Sequence, residues 1–565
     1  MALKAQSSEP VRDQARSMVI SRFGIVATSQ TLASEAGAQV LEAGGNAIDA
    51  AIAANAVLGL VEPNSNGIGG DLFAIVYEAK SGKLHGLNAS GWSPSGLTRE
   101  FLGSKGITQM PYLGIHSVTV PGCVAGWEEL RKRFGTLPLS KLLAAAIYYA
   151  EEGFPVTEII ASSWGTPATV DFLRSHANSK NTYLPGGHAP ETGEVFRNPD
   201  LAASLRSIAS HGRDGFYKGR VAEAMVAISQ QMGGTLAEAD LSEFHPEWVE
   251  PMMTTYRGWK IYEVPPNGQG IAALSMLNLM ERFPLPEYGH NSAKALHAMI
   301  EAKKLAYADL LRYVGDPRFS RIPAAEMLSK ELAAERAKLI RPDRASCRVA
   351  PSELKPMTRV HGGDTIYLSA IDKAGNIVSF IQSNYAGFGC GLVPPKTGFM
   401  LQNRGALFTF ERDHPNVLAP RKRPLHTIIP AFMEKDGVRI GFGIMGGWNQ
   451  AQAHAQFVSK VVDFGMSIQA ALETPRFTKH TFEGCDVGLE RRIPISVRQE
   501  LERMGHEVED LPPYSGMVGG GQAVMRDGKG VNYAGSDPRK DGAAVPEGPP
   551  VFGNQVGRSC VVRTP

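Results

Sequence analysis

The sequence lacks the features that mark a disulfide-stabilised, nucleic-acid-binding or membrane-surface protein. Its cysteines are few, odd in number and widely scattered, at Cys123, Cys347, Cys390, Cys485 and Cys560. This spacing fits neither a disulfide framework nor a CxxC metal site. The 58 Lys and Arg residues nearly balance the 56 Asp and Glu residues, so no strong field attracts a phosphate backbone or an anionic membrane. We therefore expect neither nucleic acid nor a membrane among the partners of the chain.

Long apolar runs are also missing. The first twenty residues have no apolar core of the kind that a signal peptide needs. The longest small-apolar run, residues 47–61, contains Asp49 and is shorter than the roughly 20 residues needed to cross a bilayer. We interpret this run as a buried helix. Together with the scattered cysteines, these absences predict a cytoplasmic protein.

Metal-binding patterns are absent too. The 14 histidines are spread singly, with no HExxH motif and no clustered carboxylates. Metal sites normally gather three or four such side chains at characteristic spacings. We therefore expect neither a catalytic metal nor another cofactor.

What the sequence does contain is a largely helical first part. Apolar residues recur at helical spacing in 127–133, 140–152, 219–232 and 291–314. Asn46 is placed to cap the alanine-rich helix 47–61. The glycine cluster at 67–70 precedes a predicted strand at 71–77, which favours a tight turn over a phosphate-binding loop.

The pattern changes abruptly at Thr365. Residues 341–363 contain several prolines and glycines and no steady period, which predicts an exposed and mobile segment. Beyond it, a period of two predicts a β-hairpin of residues 365–371 and 377–383. A symmetric turn sets Thr365 opposite Ser383, and directly opposed side chains have Cβ atoms roughly 4.5 to 5.5 Å apart. We expect the two hydroxyls to face each other.

A second arrangement with chemical potential lies farther along the chain. Residues 438–444 alternate like a core strand, Gly446 and Gly447 follow, and 450–460 has helical spacing. The free backbone N–H groups of such a strand–glycine–helix turn can bind an anion. From the pattern alone, a plain turn is an equal alternative.

Distinctive sequence blocks follow one another along nearly the whole chain. In the first part they are GGNAIDAAIAANAVLGLVEPNSNGIGGDLFAIVY, VPGCVAGWEELRKRFGTLPLSKLLAAAIYYAEEGFPV, FYKGRVAEAMV and YRGWKIYEVPPNGQGIAALSMLNLME. In the second part they are GDTIYLSAIDKAGNIVSFIQS, GFGCGLVPPKTGFMLQNRG, LAPRKRPLHTIIPA, GIMGGWNQAQAH and SDPRKDGAA. This ordered set resembles the γ-glutamyltranspeptidase family.

The resemblance implies an α+β fold, the four-layer αββα sandwich of the N-terminal-nucleophile hydrolases. It also implies a proenzyme that cleaves itself between Asp364 and Thr365. The products are a large subunit, residues 1–364, and a small catalytic subunit, residues 365–565, which stay together as a heterodimer. Whether two heterodimers associate is left open.

The resemblance makes Thr365 the nucleophile. In an intact chain its nitrogen is an amide without basicity, whereas cleavage makes it an α-amine with a pKa near 7.7 to 8.0. Such an amine can accept the hydroxyl proton while the oxygen attacks a carbonyl and forms an acyl-enzyme ester. Ser383 takes the place of a family threonine that is bonded to the nucleophile. Gly446 and Gly447 align with the glycines of the family's oxyanion hole.

The positions that hold the α-carboxylate and α-amine of a γ-glutamyl substrate differ here from the family pattern. They carry Ser90, Tyr385, Arg404, Leu407, His426 and Thr427. Arg404 and His426 can still bind an anion, while Tyr385 and Leu407 offer no partner to an ammonium. The alternatives are a structural ion pair for Arg404, a satisfied buried histidine for His426 and a pocket wall for Tyr385.

Three functions follow as hypotheses. The first resembles the oxamate amidohydrolase branch of the family and acts on a small amide with an acidic acyl group. The second is a true γ-glutamyl hydrolase or transferase that binds the amino acid through other residues. The third is an uncleaved, non-catalytic scaffold, which the joint presence of Thr365, Ser383, Gly446 and Gly447 argues against.

Overall fold

The computed structural model describes residues 14–352 and 364–549. Most strands in these ranges belong to two seven-stranded sheets. The strands are β1 (Val19–Ser21), β2 (Ile25–Thr28), β3 (Asp71–Glu78), β4 (Lys83–Ala89), β5 (Phe154–Pro155), β6 (Val195–Phe196), β7 (Glu247–Val249), β8 (Met252–Tyr256), β9 (Trp259–Glu263), β10 (Asp364–Ile371), β11 (Ile377–Tyr385), β12 (Ala431–Lys435), β13 (Val438–Ile444), β14 (Phe477–Thr478), β15 (Asp486–Glu490), β16 (Glu507–Leu511), β17 (Gly521–Arg526), β18 (Asn532–Ser536) and β19 (Ala543–Pro546).

Helices fill most of the chain between the strands. The α-helices are α1 (Thr31–Glu42), α2 (Ala47–Val61), α3 (Arg99–Ser104), α4 (Cys123–Phe134), α5 (Leu139–Leu142), α6 (Ala144–Glu152), α7 (Glu158–Trp164), α8 (Pro167–Arg174), α9 (Ala177–Tyr183), α10 (Pro199–His211), α11 (Asp214–Tyr217), α12 (Gly219–Gln231), α13 (Glu238–Ser242), α14 (Gly270–Met280), α15 (Leu285–Tyr288), α16 (Ala293–Tyr313), α17 (Ala324–Met327), α18 (Lys330–Ala337), α19 (Gln450–Val462), α20 (Ile468–Glu473) and α21 (Ile495–Arg503). None of these helices, within the described ranges, combines the length and apolarity needed to span a bilayer.

The two large sheets are antiparallel and stack face to face. Sheet I has the order β19-β2-β10-β11-β3-β4-β7, and sheet II has the order β1-β18-β17-β13-β12-β9-β8. Helices α1, α2 and α4 cover the outer face of sheet I, while α14 and α19 cover sheet II, with α16 packed on α14. The layers therefore run helix, sheet, sheet, helix, which confirms the predicted αββα sandwich.

Strand β10 illustrates why the middle layers are closed to solvent. Ile366 and Leu368 belong to the core beneath the helices of sheet I, whereas Tyr367 and Ile371 belong to the core between the sheets. Successive side chains of a strand point to opposite faces, so β10 buries apolar groups on both sides. A residue at the start of this strand is therefore also buried.

The strongest local predictions are confirmed. The alanine-rich run is helix α2, and the Asn46 side chain accepts the N–H groups of Ile48 and Asp49 at its start. The hairpin is present as β10 and β11 in the predicted register from Ile366 to Ile371. Of the segment predicted to be irregular, residues 341–352 contain no helix or strand, and 353–363 lie outside the described residues.

Both sheets combine strands from either side of Thr365. In sheet I, β2, β3, β4 and β7 precede it, β10 contains it as its second residue, and β11 and β19 follow it. In sheet II, β1, β8 and β9 precede it, and β12, β13, β17 and β18 follow it. The two predicted subunits are therefore not separate domains, because neither segment can form a complete sheet alone.

One prediction from the cysteine pattern is wrong. Cys347 and Cys485 form a disulfide across a sequence separation of 138 residues. Tertiary packing brings these distant positions together, which spacing in the sequence cannot reveal. Cys123 and Cys390 are free and buried. The cytoplasmic location drew partly on the cysteine pattern, so it loses that support and stays a prediction.

Candidate active site

Thr365 lies at an irregularity near the start of β10. The β10–β11 ladder is regular from Ile366 to Ile371 but shifts register between Asp364 and Ile366. Thr365 falls at this shift, and its side chain is 1% exposed. Its hydroxyl donates to Ser383 Oγ at 3.2 Å. The expected contact between the two hydroxyls is present, although it forms at a bulge and not at a regular pair.

The side-chain oxygen of Ser383 accepts several hydrogen bonds. Besides the Thr365 hydroxyl, its Oγ accepts the Tyr385 backbone N–H at 2.8 Å and Arg404 Nη2 at 3.1 Å. Tyr385 has φ 79°, a left-handed conformation that is uncommon for a residue other than glycine. This turn in the backbone directs the Tyr385 N–H back to the serine. The Ser383 oxygen is thereby fixed next to Thr365.

Arg404 is a fully buried cation beside this pair. It is 0% exposed, its Nη1 donates to Thr427 Oγ1 at 2.6 Å, and its guanidinium carbon lies 4.5 Å from the centre of the Tyr385 ring. Its Nε–H has no acceptor among the described residues. Burial lowers the pKa of Arg404 to about 10, and the Asp71 charge opposes this shift, so the group is charged at neutral pH. A buried charge with an unused N–H is suited to an anionic ligand.

Asp71 belongs to the site, and the sequence analysis missed it. It is the first residue of β3 and pairs with Ser383 across the β11–β3 ladder. One carboxylate oxygen accepts Gly91 N–H and Gln402 Nε2, each at 2.8 Å, and the other accepts His426 Nε2 at 2.9 Å. The available signal was a lone acid at the head of the otherwise apolar strand DLFAIVY.

Both ring nitrogens of His426 form hydrogen bonds within the protein. Its Nδ1 accepts the Ile428 N–H at 3.3 Å, which leaves the hydrogen on Nε2 for Asp71. Burial, followed by the charge of Arg404, holds the pKa of His426 well below its ordinary value, so the ring is neutral. Both nitrogens are used, which fits the alternative of a satisfied buried histidine better than the predicted anion-binding role.

Gly446 and Gly447 form the turn between β13 and α19. Their φ angles of 125° and 58° lie in the region that favours glycine. Gln269 supports this turn, because its Nε2 donates to Gly447 O at 2.8 Å and to Thr427 O at 2.5 Å. The same side chain therefore ties the glycine turn to the threonine that Arg404 contacts. Gln269 carried no signal in the sequence, because its two partners are distant along the chain.

Ser90 lies in an adjacent hydrogen-bond network, and none of its hydrogen bonds among the described residues goes to Thr365. Its hydroxyl donates to Asn88 Oδ1 at 2.7 Å and accepts Asn267 Nδ2 at 3.3 Å. Its carbonyl accepts Arg423 Nε at 2.9 Å. Within the described residues, the structure thus brings together Thr365, Ser383, Tyr385, Arg404 and Thr427. Ser90 contacts Asn88, Asn267 and Arg423 instead.

Gln450 is a neighbour of Thr365 that the sequence analysis missed. It is the first residue of α19, and its Nε2 lies 3.5 Å from Thr365 Oγ1. Its Oε1 accepts the Ile429 N–H at 3.0 Å, which fixes the amide orientation. Gln450 can therefore donate to the Thr365 oxygen.

One group of possible metal ligands lies elsewhere in the described residues. His297, Glu301 and His506 place ligand atoms within 4.8 Å of one another. His297 Nδ1 and His506 Nε2 share a 2.8 Å hydrogen bond, and Glu301 pairs with Lys304 Nζ at 2.7 Å. Because an adjacent ammonium repels a cation, we assign no ion to this group.

Known proteins are similar to this chain in sequence and fold. The chain matches the gamma-glutamyltranspeptidase family model over residues 33–547. It is 36% identical over 534 residues to the glutathione hydrolase-like YwrD proenzyme of Bacillus subtilis, an alignment covering 93% of this chain and 99% of that protein. It is 33% identical over 536 residues to the oxamate amidohydrolase proenzyme of Klebsiella pneumoniae, with coverage of 93% and 99%.

A solved structure extends the likeness to three dimensions. The crystal structure of cephalosporin acylase from Bacillus halodurans matches with a TM-score of 0.87 and 43% sequence identity. The match covers 96% of this chain and 99% of that chain. The similarity therefore includes both sheets and the helices that cover them.

Replacing Asp71 by Asn is expected to change how stability depends on pH. Burial raises the pKa of Asp71 from 3.8 to about 6, so between these values the folded protein binds a proton that the unfolded chain has released. Stability from this group is present below pH 3.8 and is lost as the pH rises through 6. Between pH 4 and pH 7.5, the free energy of unfolding of wild type should fall by roughly 2 to 3 kcal/mol relative to that of Asp71→Asn.

The measurement is the free energy of unfolding of both proteins by denaturant at each pH. The exposed Asp171→Asn variant is the matched control and should follow wild type. A difference between wild type and Asp71→Asn that stays constant with pH, or that grows in favour of wild type as pH rises, contradicts the raised pKa of Asp71.

Proposed function

The chain belongs to the gamma-glutamyltranspeptidase family of self-processing N-terminal-nucleophile amidohydrolases, and from this premise we propose its cleavage site, nucleophile and substrate class. The proposed cleavage is between Asp364 and Thr365. Thr365 then becomes the nucleophile of an enzyme that hydrolyses small amides whose acyl group carries a carboxylate and no α-amine.

One observation carries this proposal. The hydroxyl of Thr365 donates a hydrogen bond to Ser383 Oγ, and the same oxygen accepts a hydrogen bond from the buried guanidinium of Arg404. Nucleophile and cation are therefore one side chain apart. Such an arrangement brings the carbonyl of a substrate to Thr365 when an acid on its acyl group binds Arg404.

The cleavage step follows from the position of Thr365 at the register shift. Its Oγ attacks the carbonyl carbon of Asp364, the C–N bond breaks, and the nitrogen takes the hydroxyl proton to become an amine. Water then hydrolyses the resulting ester, which releases the Asp364 carboxyl group and restores the hydroxyl. The new α-amine is adjacent to the hydroxyl that it activates.

Catalysis reuses the same atoms on a substrate amide. The α-amine accepts the Thr365 hydroxyl proton while Oγ attacks the amide carbonyl, and the proton passes to the leaving amine. We propose that the N–H groups of Gly446 and Gly447 hold the developing oxyanion, each such donor contributing about 10² to 10³ in rate. Water completes the cycle by hydrolysing the acyl-enzyme ester.

The buried charges favour an acidic acyl group without an α-amine. Arg404 has an unused Nε–H, whereas Asp71 already accepts donors from Gly91, Gln402 and His426. A substrate carboxylate has a partner in the site, and an ammonium has none among these groups. The likeness to an oxamate amidohydrolase supports this class, because oxamate is an amide whose acyl group bears a carboxylate.

We also propose that the two fragments remain associated as a heterodimer. Each sheet contains strands from both sides of Thr365, so separation would break backbone ladders in both sheets and expose the core between them. Light scattering of the processed protein measures whether two such heterodimers associate.

Thr365→Ala is expected to abolish processing, because alanine has no hydroxyl to attack the preceding carbonyl. Wild type should yield a fragment beginning Thr365-Ile366-Tyr367 on a reducing denaturing gel with N-terminal sequencing, while the variant stays whole. Thr365→Ser keeps a hydroxyl and serves as the matched control, with cleavage at the same bond. If folded wild type stays whole as well, the uncleaved scaffold replaces the enzyme as the better account.

Arg404→Gln is expected to weaken catalysis on oxamate more than on the neutral amide oxamide. Losing a charge-assisted hydrogen-bond set of about 1.5 to 3 kcal/mol lowers kcat/KM for oxamate by roughly 10- to 100-fold. Arg404→Lys keeps the charge without the planar fork and should fall between wild type and the glutamine variant.

Steady-state kinetics on both amides separates two roles of Arg404. Equal losses on oxamate and oxamide mean that the guanidinium acts only through Ser383 and does not bind the substrate acid. Predominant turnover of γ-glutamyl-p-nitroanilide by wild type overturns the proposed substrate class in favour of a true γ-glutamyl enzyme.

A further inference from the structure

The Cys347–Cys485 disulfide joins residues on opposite sides of Thr365. Cys347 is exposed and lies in the irregular stretch 341–352, whereas Cys485 is 1% exposed and directly precedes β15. In the intact precursor the bond closes a loop within a single chain. Once the chain is cut before Thr365, the same bond links two chains.

Backbone hydrogen bonds place the two cysteines side by side independently of the sulfur bond. Gly484 N–H donates to Cys347 O at 2.9 Å, and Ala345 N–H donates to Met504 O at 2.7 Å. Both bonds connect the stretch before Thr365 to segments that follow it. The fold therefore positions the pair, and the disulfide reinforces a contact that the backbone already makes.

Lys304 connects the two sides of the disulfide. Its Nζ lies 3.9 Å from Cys485 Sγ and also donates to Ser346 O, next to Cys347, at 3.1 Å. The same ammonium pairs with Glu301 Oε1 at 2.7 Å, and Glu301 Oε2 accepts the Ser346 N–H at 3.2 Å. These contacts hold the backbone beside Cys347 close to Cys485 independently of the sulfur bond.

The loop closed by Cys485 also touches the glycine turn of the proposed site. Phe482 stands edge-on to Trp448, with ring centres 5.1 Å apart, and Trp448 directly follows Gly447. Tyr307 OH donates to Trp448 O at 2.5 Å from the other side. Holding residues 479–485 in place consequently supports the backbone that carries the proposed oxyanion donors.

We propose that Cys347 and Cys485 form an intersubunit disulfide that keeps the processed enzyme a single covalent unit. The bond fixes Cys347 and the described residues around it against residues 479–485, which contact Trp448 beside the glycine turn. This inference rests on the proposed cleavage before Thr365. Reduction by an added dithiol breaks the S–S bond with two electrons and two protons, yields two thiols and leaves the reagent as its cyclic disulfide.

The test compares denaturing gels with and without dithiothreitol, after free thiols are blocked with N-ethylmaleimide. Wild type is expected to run as one species near 60.8 kDa without reductant and as two fragments with it. Cys347→Ser should give two fragments in both gels, and its fold should be undisturbed because Cys347 is exposed. Cys560→Ser is the matched control and should behave like wild type.

The outcomes separate the disulfide from the cleavage. Two wild-type fragments without reductant overturn the intersubunit bond and leave the cleavage standing. One species in both gels means that the proposed cleavage fails, and with it the intersubunit character of the bond. Non-reducing peptide mapping of the same sample should find the Cys347 and Cys485 peptides linked, and finding both as free thiols overturns the inference in either case.

Discussion

The hydrogen bond from Thr365 to Ser383 joins two neighbouring strands where their regular ladder ends. Its position depends on the whole sandwich, because β10 is buried on both faces and lies between β2, which precedes it in the chain, and β11, which follows it. A residue at the start of such a strand is buried, and its side chain has a fixed orientation. At the register shift it also lies outside the regular β10–β11 ladder. These are the conditions that an internal nucleophile needs to reach the carbonyl before it.

The buried charges beside Thr365 determine which substrate charge the proposed site can bind. Arg404 and Asp71 are both fully buried, yet they differ in what they leave unused. The carboxylate of Asp71 already accepts three donors, including His426, while the Arg404 Nε–H has no acceptor among the described residues. Burying such groups is unfavourable unless they are paired, so a site that keeps a spare cationic donor is arranged for an anion from outside. The selectivity that we propose follows from this asymmetry.

The sequence predicted what local pattern determines and missed what tertiary packing determines. Thr365 and Ser383 could be matched because a hairpin register depends only on the turn between its strands. Asp71 escaped notice because its partners come from distant loops, and Gln269 did so for the same reason. The sequence analysis proposed an anion-binding role for His426, and the two hydrogen bonds that occupy both of its nitrogens could be seen only in three dimensions.

The central claim is that acyl transfer passes through Thr365, and a trapped intermediate tests it most directly. The p-nitroanilide of oxalic acid releases a coloured amine on acylation, and an acid quench during turnover preserves the ester for mass analysis of peptides. The account predicts an oxalyl increment on the small-subunit peptide that begins at Thr365. A burst of nitroaniline with the increment on another peptide, or with an unmodified Thr365 peptide, would contradict it.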